Sequence, residues 1–374
     1  MQMKRKFTAG KYLAGMLCLV ILLTTIHLTT WAINLNDQNA LSVAEESQGL
    51  IQGADIKVDI YQLASATEVP NYDTYGYHFN EAFSGIKIAG EEDDAGIKEA
   101  LALGTISLSE EQWEQVAQDA CALIRSGIGT PYQTISLNNT AQGLPAGLYL
   151  IIARGDGLAD YWAESKSDEG RLITIAKSDT NEYSFSPSLV SLPTKEAKDG
   201  VINTADDFGP WLYDKTVNLK VGIEPLYGKI AIEKHIDQFV GNEEATFVFQ
   251  VTAEGDFNED GTVDYQYSNV ASVYFTASTG TSATAVLDHI RAGAEVTSVE
   301  EIYPEPSNPN SRYIYSGSSS PEAPWIVKNG EDNVLTFTFE NTSNDERTGG
   351  HGILNQFTYN GSTWDPKQID SRHR

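Results

Sequence analysis

The residues best suited to chemistry are lysines. Lys220, Lys229 and Lys234 lie in one stretch, Trp211–Asp237, which reads WLYDKTVNLKVGIEPLYGKIAIEKHID. A lysine amine becomes a nucleophile once it loses its proton, and burial among apolar groups favours that loss. Set among strand-like alternation, these lysines suit the formation of covalent cross-links better than catalytic turnover. Other reactive groups are poorly placed. The six histidines are His27, His78, His235, His289, His351 and His373; none stands in an H-E-x-x-H pair or at metal-ligand spacing from a cysteine. There is no G-x-S-x-G elbow and no phosphate-binding loop. Carboxylates are abundant, but no pattern among them selects a glycosidase pair. The run Asp256, Asn258, Asp260, Gly261, Asp264 begins like a calcium-binding loop, with oxygen ligands at alternate positions and a glycine for the sharp turn. Its twelfth position is Tyr267, where a bidentate acid is needed, and strand-like rather than helical sequence flanks it. A polar hairpin turn is the reading favoured over a calcium site.

The elements that would carry these residues are mostly strands. Asp55–Ala64 alternates apolar and polar, and Leu148–Ala153 is a continuous apolar run. Glu182–Pro193 reads as a further strand. One amphipathic helix stands out. Ser109 is an N-cap with Gln112 completing a capping box, and Trp113, Val116, Ala117, Ala120, Cys121 and Ile124 recur at helical spacing before Gly127. Cys121 therefore falls on the apolar face, as an inert thiol. Beyond the lysine stretch come Gly228–Ile236, Glu244–Ala253, Asp264–Thr276, Ala283–Ala294, Val296–Tyr303 and Asn333–Thr342. Six short strand-like runs separated by Gly, Asn, Pro and Ser point to a small sandwich.

Composition narrows the setting. The 374 residues carry 52 acidic against 25 basic side chains, a net charge of -27. Such a chain repels nucleic acid and anionic lipid and stays soluble. Residues 1–32 combine a basic start with an apolar run, which reads as a secretory signal peptide, with an uncleaved signal anchor as the alternative. Cys18 falls in that segment. Cleavage would leave Cys121 alone, so no internal disulfide is expected. Residues 33–52 read as flexible, 53–222 as one domain, 223–227 as a joint, 228–362 as a second domain and 363–374 as a polar tail.

Two resemblances follow from particular motifs. Leu144, Gly147, Tyr149 and Leu150, then Phe185, Pro187 and Leu189–Pro193, then Trp211 with Lys220 at the tenth position, resemble the N-terminal domain of sortase-assembled pilin backbone subunits of Gram-positive bacteria. In that family the lysine ends a W-x3-V-x-V-Y-P-K motif and is joined to the C-terminus of the next subunit. Here Asn218-Leu219 stands in place of Tyr-Pro. In the second half, Lys234 with Asp237, Val296-Thr297 with Glu300 or Glu301, and Phe339 with Asn341 resemble the collagen-adhesin B-type (Cna-B-like) domains of Gram-positive surface proteins. These are immunoglobulin-like sandwiches, many with a self-formed Lys–Asn amide bond. The resemblance implies that Lys234 attacks the Asn341 side chain. A neutral carboxyl, Glu301 or Glu300, would polarise that carbonyl and move the proton.

The expectation is an all-β protein of two immunoglobulin-like, Cna-B-type sandwiches, the first with one short amphipathic helix. It would be a pilin-like surface or adhesive subunit of a Gram-positive cell, not an enzyme, without an obligatory cofactor. It would be stabilised by a Lys234–Asn341 bond and linked through Lys220 to other subunits by sortase. The alternative is a secreted sandwich module that binds a glycan or a host protein without polymerising. The family's C-terminal L-P-x-T-G, apolar helix and basic tail do not occur in residues 360–374, so the chain is not expected to act as the acyl donor.

Overall fold

In the computed structural model, residues 33–88, 95–168, 170–197, 208–241, 243–344, 353–359 and 364–370 are described. The expected signal segment, with Cys18, lies outside them. The chain divides into two compact units, Met1–Glu224 and Pro225–Arg374.

The first unit comprises β1 (Asn39–Val43), α1 (Glu45–Gly49), β2 (Ile56–Glu68), β3 (Tyr75–Phe79), α2 (Ala95–Ala102), α3 (Glu110–Arg125), β4 (Gln133–Ser136), β5 (Ala141–Leu144), β6 (Gly147–Gly155) and β7 (Trp162–Glu164). It continues through β8 (Leu172–Lys177), β9 (Asn181–Ser186), β10 (Ser188–Leu192), β11 (Thr194–Ala197), β12 (Phe208–Leu212), β13 (Asp214–Val217) and β14 (Lys220–Pro225). Its centre is the sheet ordered β10-β6-β2-β3, with β4 also on β2.

That sheet is covered on both faces. Val58, Ile60, Tyr149 and Ile151 pack on one side with Tyr183 and Phe185 of β9. Tyr61, Leu63, Leu148, Leu150 and Ile152 pack on the other with Val116, Ala120, Cys121 and Ile124 of α3. Double burial explains why β6 reads as an unbroken apolar run. Gly147 is required where β6 meets β2: a Cβ there would lie 2.3 Å from the Ala64 carbonyl oxygen. Helix α3 begins as its sequence dictates, with the Ser109 hydroxyl accepting the Gln112 N–H and the Gln112 side chain accepting the Ser109 N–H.

Several boundaries differ from the sequence reading. The segment expected to be flexible contributes β1, which pairs parallel with β13 and antiparallel with β5 and buries Leu41 and Val43 in the core. Helices α1 and α2 accompany α3, so the first unit has more than one helix. Helix α2 buries a single side chain, Leu101, too few for a periodic apolar stripe. The expected joint is taken up by strand residues of β14 and β15 (Tyr227–Ile236) on either side of Leu226.

The second unit continues with β16 (Ala245–Gly255), β17 (Tyr265–Phe275), β18 (Ser282–Arg291), β19 (Glu295–Tyr303), β20 (Tyr313–Ser319), β21 (Leu335–Ser343), β22 (Ile353–Tyr359) and β23 (Trp364–Asp370). One sheet runs β18-β15-β21-β20 and the other β17-β16-β19. Their inward residues form one core: Ile230, Ile232, Phe337 and Phe339 from the first, Phe247, Phe249, Val251, Val273, Phe275 and Val296 from the second. This is a β-sandwich. Strands β22 and β23 pair antiparallel with each other, so the expected polar tail begins as a strand. The chain is an all-β protein with accessory helices.

Candidate functional site

The sandwich core contains three polar side chains among its aromatics. Lys234, Glu301 and Asn341 are 0%, 6% and 2% exposed. Fully buried lysines and glutamates are rare unless they are paired. Their positions follow from strand alternation and register. On β15, Ile232, Lys234 and Ile236 share the inward face. Strand β21 runs parallel to β15, with Lys234 opposite Phe339 and Ile236 opposite Asn341, so Asn341 lies one step along from the lysine on the neighbouring strand. Glu301 arrives from the facing sheet, opposite Phe249.

A register shift settles which glutamate turns inward. Between Thr252 and Ala253 the pairing with β19 slips, with Ala253 opposite Val296 but Thr252 opposite Ser298, so the inward side passes from Val296 to Val299 and Glu301; a second slip then puts Val248 opposite Tyr303. Ile302 and Tyr303 both remain exposed while Glu301 enters the core. Glu300 lies opposite the exposed Gln250 and accepts a hydrogen bond from the Ser298 hydroxyl at 3.0 Å.

The three side chains close a ring of contacts. Lys234 Nζ donates to Glu301 Oε2 at 2.8 Å and to Asn341 Oδ1 at 2.5 Å. Asn341 Nδ2 donates to Glu301 Oε1 at 2.7 Å. The carboxyl group thus spans the amine and the amide nitrogen. The sequence alone puts that carboxyl on the carbonyl; in the structure the carbonyl oxygen faces the lysine. The Phe247 and Phe249 ring centroids lie 4.8 and 5.9 Å from Nζ and wall the group off from water. Desolvation drives the Lys234 amine below the ordinary lysine range, opposed by the Glu301 contact. The same burial raises the Glu301 carboxyl, opposed by its Lys234 and Asn341 contacts. Both directions favour a neutral pair, an amine with a free lone pair beside a protonated acid.

Such an arrangement can form an amide. The Nζ–Cγ bond forms as the Cγ–Nδ2 bond breaks. One proton passes from Nζ to Nδ2 through Glu301, and ammonia leaves.

The remaining candidates lie elsewhere. Lys220 is an exposed residue at the start of β14, and Lys229 forms an ion pair with Glu331. In the loop joining β16 to β17, the acidic groups accept backbone N–H groups. Asp256 accepts from Gly261, Asn258 from Asp260, Asp260 from Thr262, and Asp264 from Phe257 and Asn258. Among the described residues no group of three or more His, Cys, Asp or Glu side chains is gathered to hold a metal ion. Cys121 is buried, and burial pushes its thiol up to about 12. The sequence reading did not anticipate the Phe247 and Phe249 walls, although the alternation of Phe247-Val248-Phe249 carries that signal.

No family model matches the chain, and no curated protein matches it. Among solved structures it is similar to the full-length major pilin SpaD from Corynebacterium diphtheriae, at 10% identity over 83% of this chain and 65% of that one, with a TM-score of 0.23. It is similar to the pilus-presented adhesin Spy0125 (Cpa) at 12% identity over 69% and 52%, with a TM-score of 0.20. It is also similar to the major pilin T-13 from Streptococcus pyogenes at 11% identity over 82% and 96%, with a TM-score of 0.21. The chain spans less than two thirds of the length of the first two. At TM-scores this low the likeness fixes no role, and the functional reading rests on the buried triad.

Proposed function

We propose that this chain is a pilin-like structural subunit of a Gram-positive cell surface whose second unit makes its own Lys234–Asn341 amide bond. Glu301 serves as the acid and base in that reaction. The reaction happens once per molecule and is maturation rather than turnover. The supporting observation is the ring of three buried side chains, with the amine on the carbonyl oxygen and the carboxyl bridging nucleophile and leaving group. The bond ties two adjacent parallel strands of one sheet, so tension entering at β15 and leaving at β21 passes through a covalent link. Tandem mass spectrometry of tryptic peptides tests this directly. A branched peptide containing Lys234 and Asn341 is expected in wild type and absent in Glu301→Ala; linear peptides alone in wild type would overturn the reading.

The cross-linked subunit would be joined to others through Lys220, which is exposed on β14. Incubation with sortase and a sorting-signal donor is expected to give SDS-resistant products that disappear in Lys220→Ala. Products that persist in that variant would reassign the accepting lysine.

A further inference from the structure

One group beside the triad has no part in the reaction as written above. Asp237 follows β15 directly, three residues after Lys234. Its Oδ1 accepts the backbone N–H of Ser343 at 2.7 Å, and its Oδ2 accepts the Ser343 hydroxyl at 2.9 Å. Ser343 is two residues beyond Asn341 on β21. The Gln238 side chain also donates to the Ser343 hydroxyl at 2.9 Å, and the Gln238 N–H donates to Asp237 Oδ1 at 2.8 Å. The Asp237 N–H in turn donates to the Asn341 carbonyl oxygen at 3.3 Å. Five hydrogen bonds thus gather at the point where the two strands end.

That end is where the reacting groups lie. Ile236 opposite Asn341 is the last registered pair of the parallel β15–β21 ladder, and Lys234 is two positions before it. Strand β20 holds the far edge of β21 through Tyr315 opposite Asn341 and Tyr313 opposite Ser343, but the ladder to β15 stops at Asn341, and the last pairs of a ladder fray. A frayed end would swing the Asn341 carboxamide away from the amine, and a displacement of about 1 Å can cost about 100-fold in rate. Charge-assisted hydrogen bonds from backbone amide and hydroxyl to a carboxylate are the strong kind, suited to closing such an end.

We infer that Asp237 is a positioning residue for amide formation, holding the ends of β15 and β21 in register so that Asn341 stays within reach of Lys234. This rests on the proposed Lys234–Asn341 reaction. Asp237 touches neither reacting atom and acts through the backbone of β21.

The test follows bond formation in the full chain made in a short cell-free translation pulse. Aliquots are quenched over time, and branched and linear tryptic peptides are quantified. Protease protection of Glu301→Gln chains, with and without Asp237→Ala, supplies the folding time independently. The expected result is bond formation at least 10-fold slower in Asp237→Ala, an unchanged folding time, and partial rescue in Asp237→Asn, which retains one acceptor oxygen. A merely structural role would delay folding and bond formation together, and that outcome overturns the inference. So does an unchanged rate of bond formation in Asp237→Ala. Absence of the branched peptide from wild type would instead sink the parent reaction, and with it this role for Asp237.

Discussion

Replacing Lys234 by Met removes the cross-link without leaving a buried charge on the lysine side, because Met has similar length and is apolar. The loss in stability can be worked from chain topology. The bond joins residues 107 apart in sequence. In the chain-entropy treatment, closing a loop of about 100 residues stabilises the folded state by about 4.7 kcal/mol. The second unit spans Pro225–Arg374, a size at which each kcal/mol moves the melting temperature by about 2–4 °C. Lys234→Met is therefore expected to lower the melting transition of that unit by roughly 10–20 °C. Glu301→Gln should fall further, since it leaves the lysine amine in the core without its acid partner. Differential scanning calorimetry of the full chain reads both, and the transition that moves is assigned to the second unit by its movement. A Lys234→Met transition within about 2 °C of wild type would refute the reasoning, because a covalent loop of that length cannot vanish so cheaply.

Three further outcomes are expected. The rate of bond formation should fall at both ends of the pH range. As pH drops through the lowered Lys234 value the amine gains a proton and stops being a nucleophile, and as pH rises through the raised Glu301 value the acid is lost; a rate that climbs steadily with pH would exclude the acid role. Cys121 should resist thiol reagents in the folded protein and react only after denaturation, since burial pushes its thiol up to about 12; rapid labelling of native protein would contradict its place on the buried face of α3. Asp59→Ala should destabilise the first unit by about 3–5 kcal/mol in chemical denaturation, because Arg154, whose Nε lies 2.6 Å from the buried Asp59 carboxylate, would lose its partner; a loss below about 1 kcal/mol would mean that the pair is solvated.

The sequence made the core strands legible because their alternation is local. Phe247, Phe249 and Val251 announce β16, and the capping box announces α3. Strands β20 and β23 are rich in polar residues and β22 lacks a regular alternation, so only pairing with a neighbour defines them. Strand β1 was hidden for a similar reason. Its parallel partner, β13, is remote in sequence, and no local pattern reveals a long-range pairing.

The candidate site divides the same way. Lys234 and Asn341 could be proposed from their strands and from a family resemblance, but the choice between Glu300 and Glu301 needed the register shift opposite Thr252 and Ala253. The bridging of amine and amide nitrogen by one carboxyl is a property of three strands meeting in space. So is the knot at Asp237, whose partner Ser343 is 106 residues away.

The mass of the full chain under strongly denaturing conditions tests the central claim most directly, with Lys234→Ala, Glu301→Ala and Asn341→Ala measured beside it. Wild type should be lighter than its sequence by one ammonia, about 17 Da, and each variant should show its full calculated mass. A wild-type chain at full mass would contradict the account and leave Lys234, Glu301 and Asn341 as a buried hydrogen-bonded cluster in an ordinary β-sandwich.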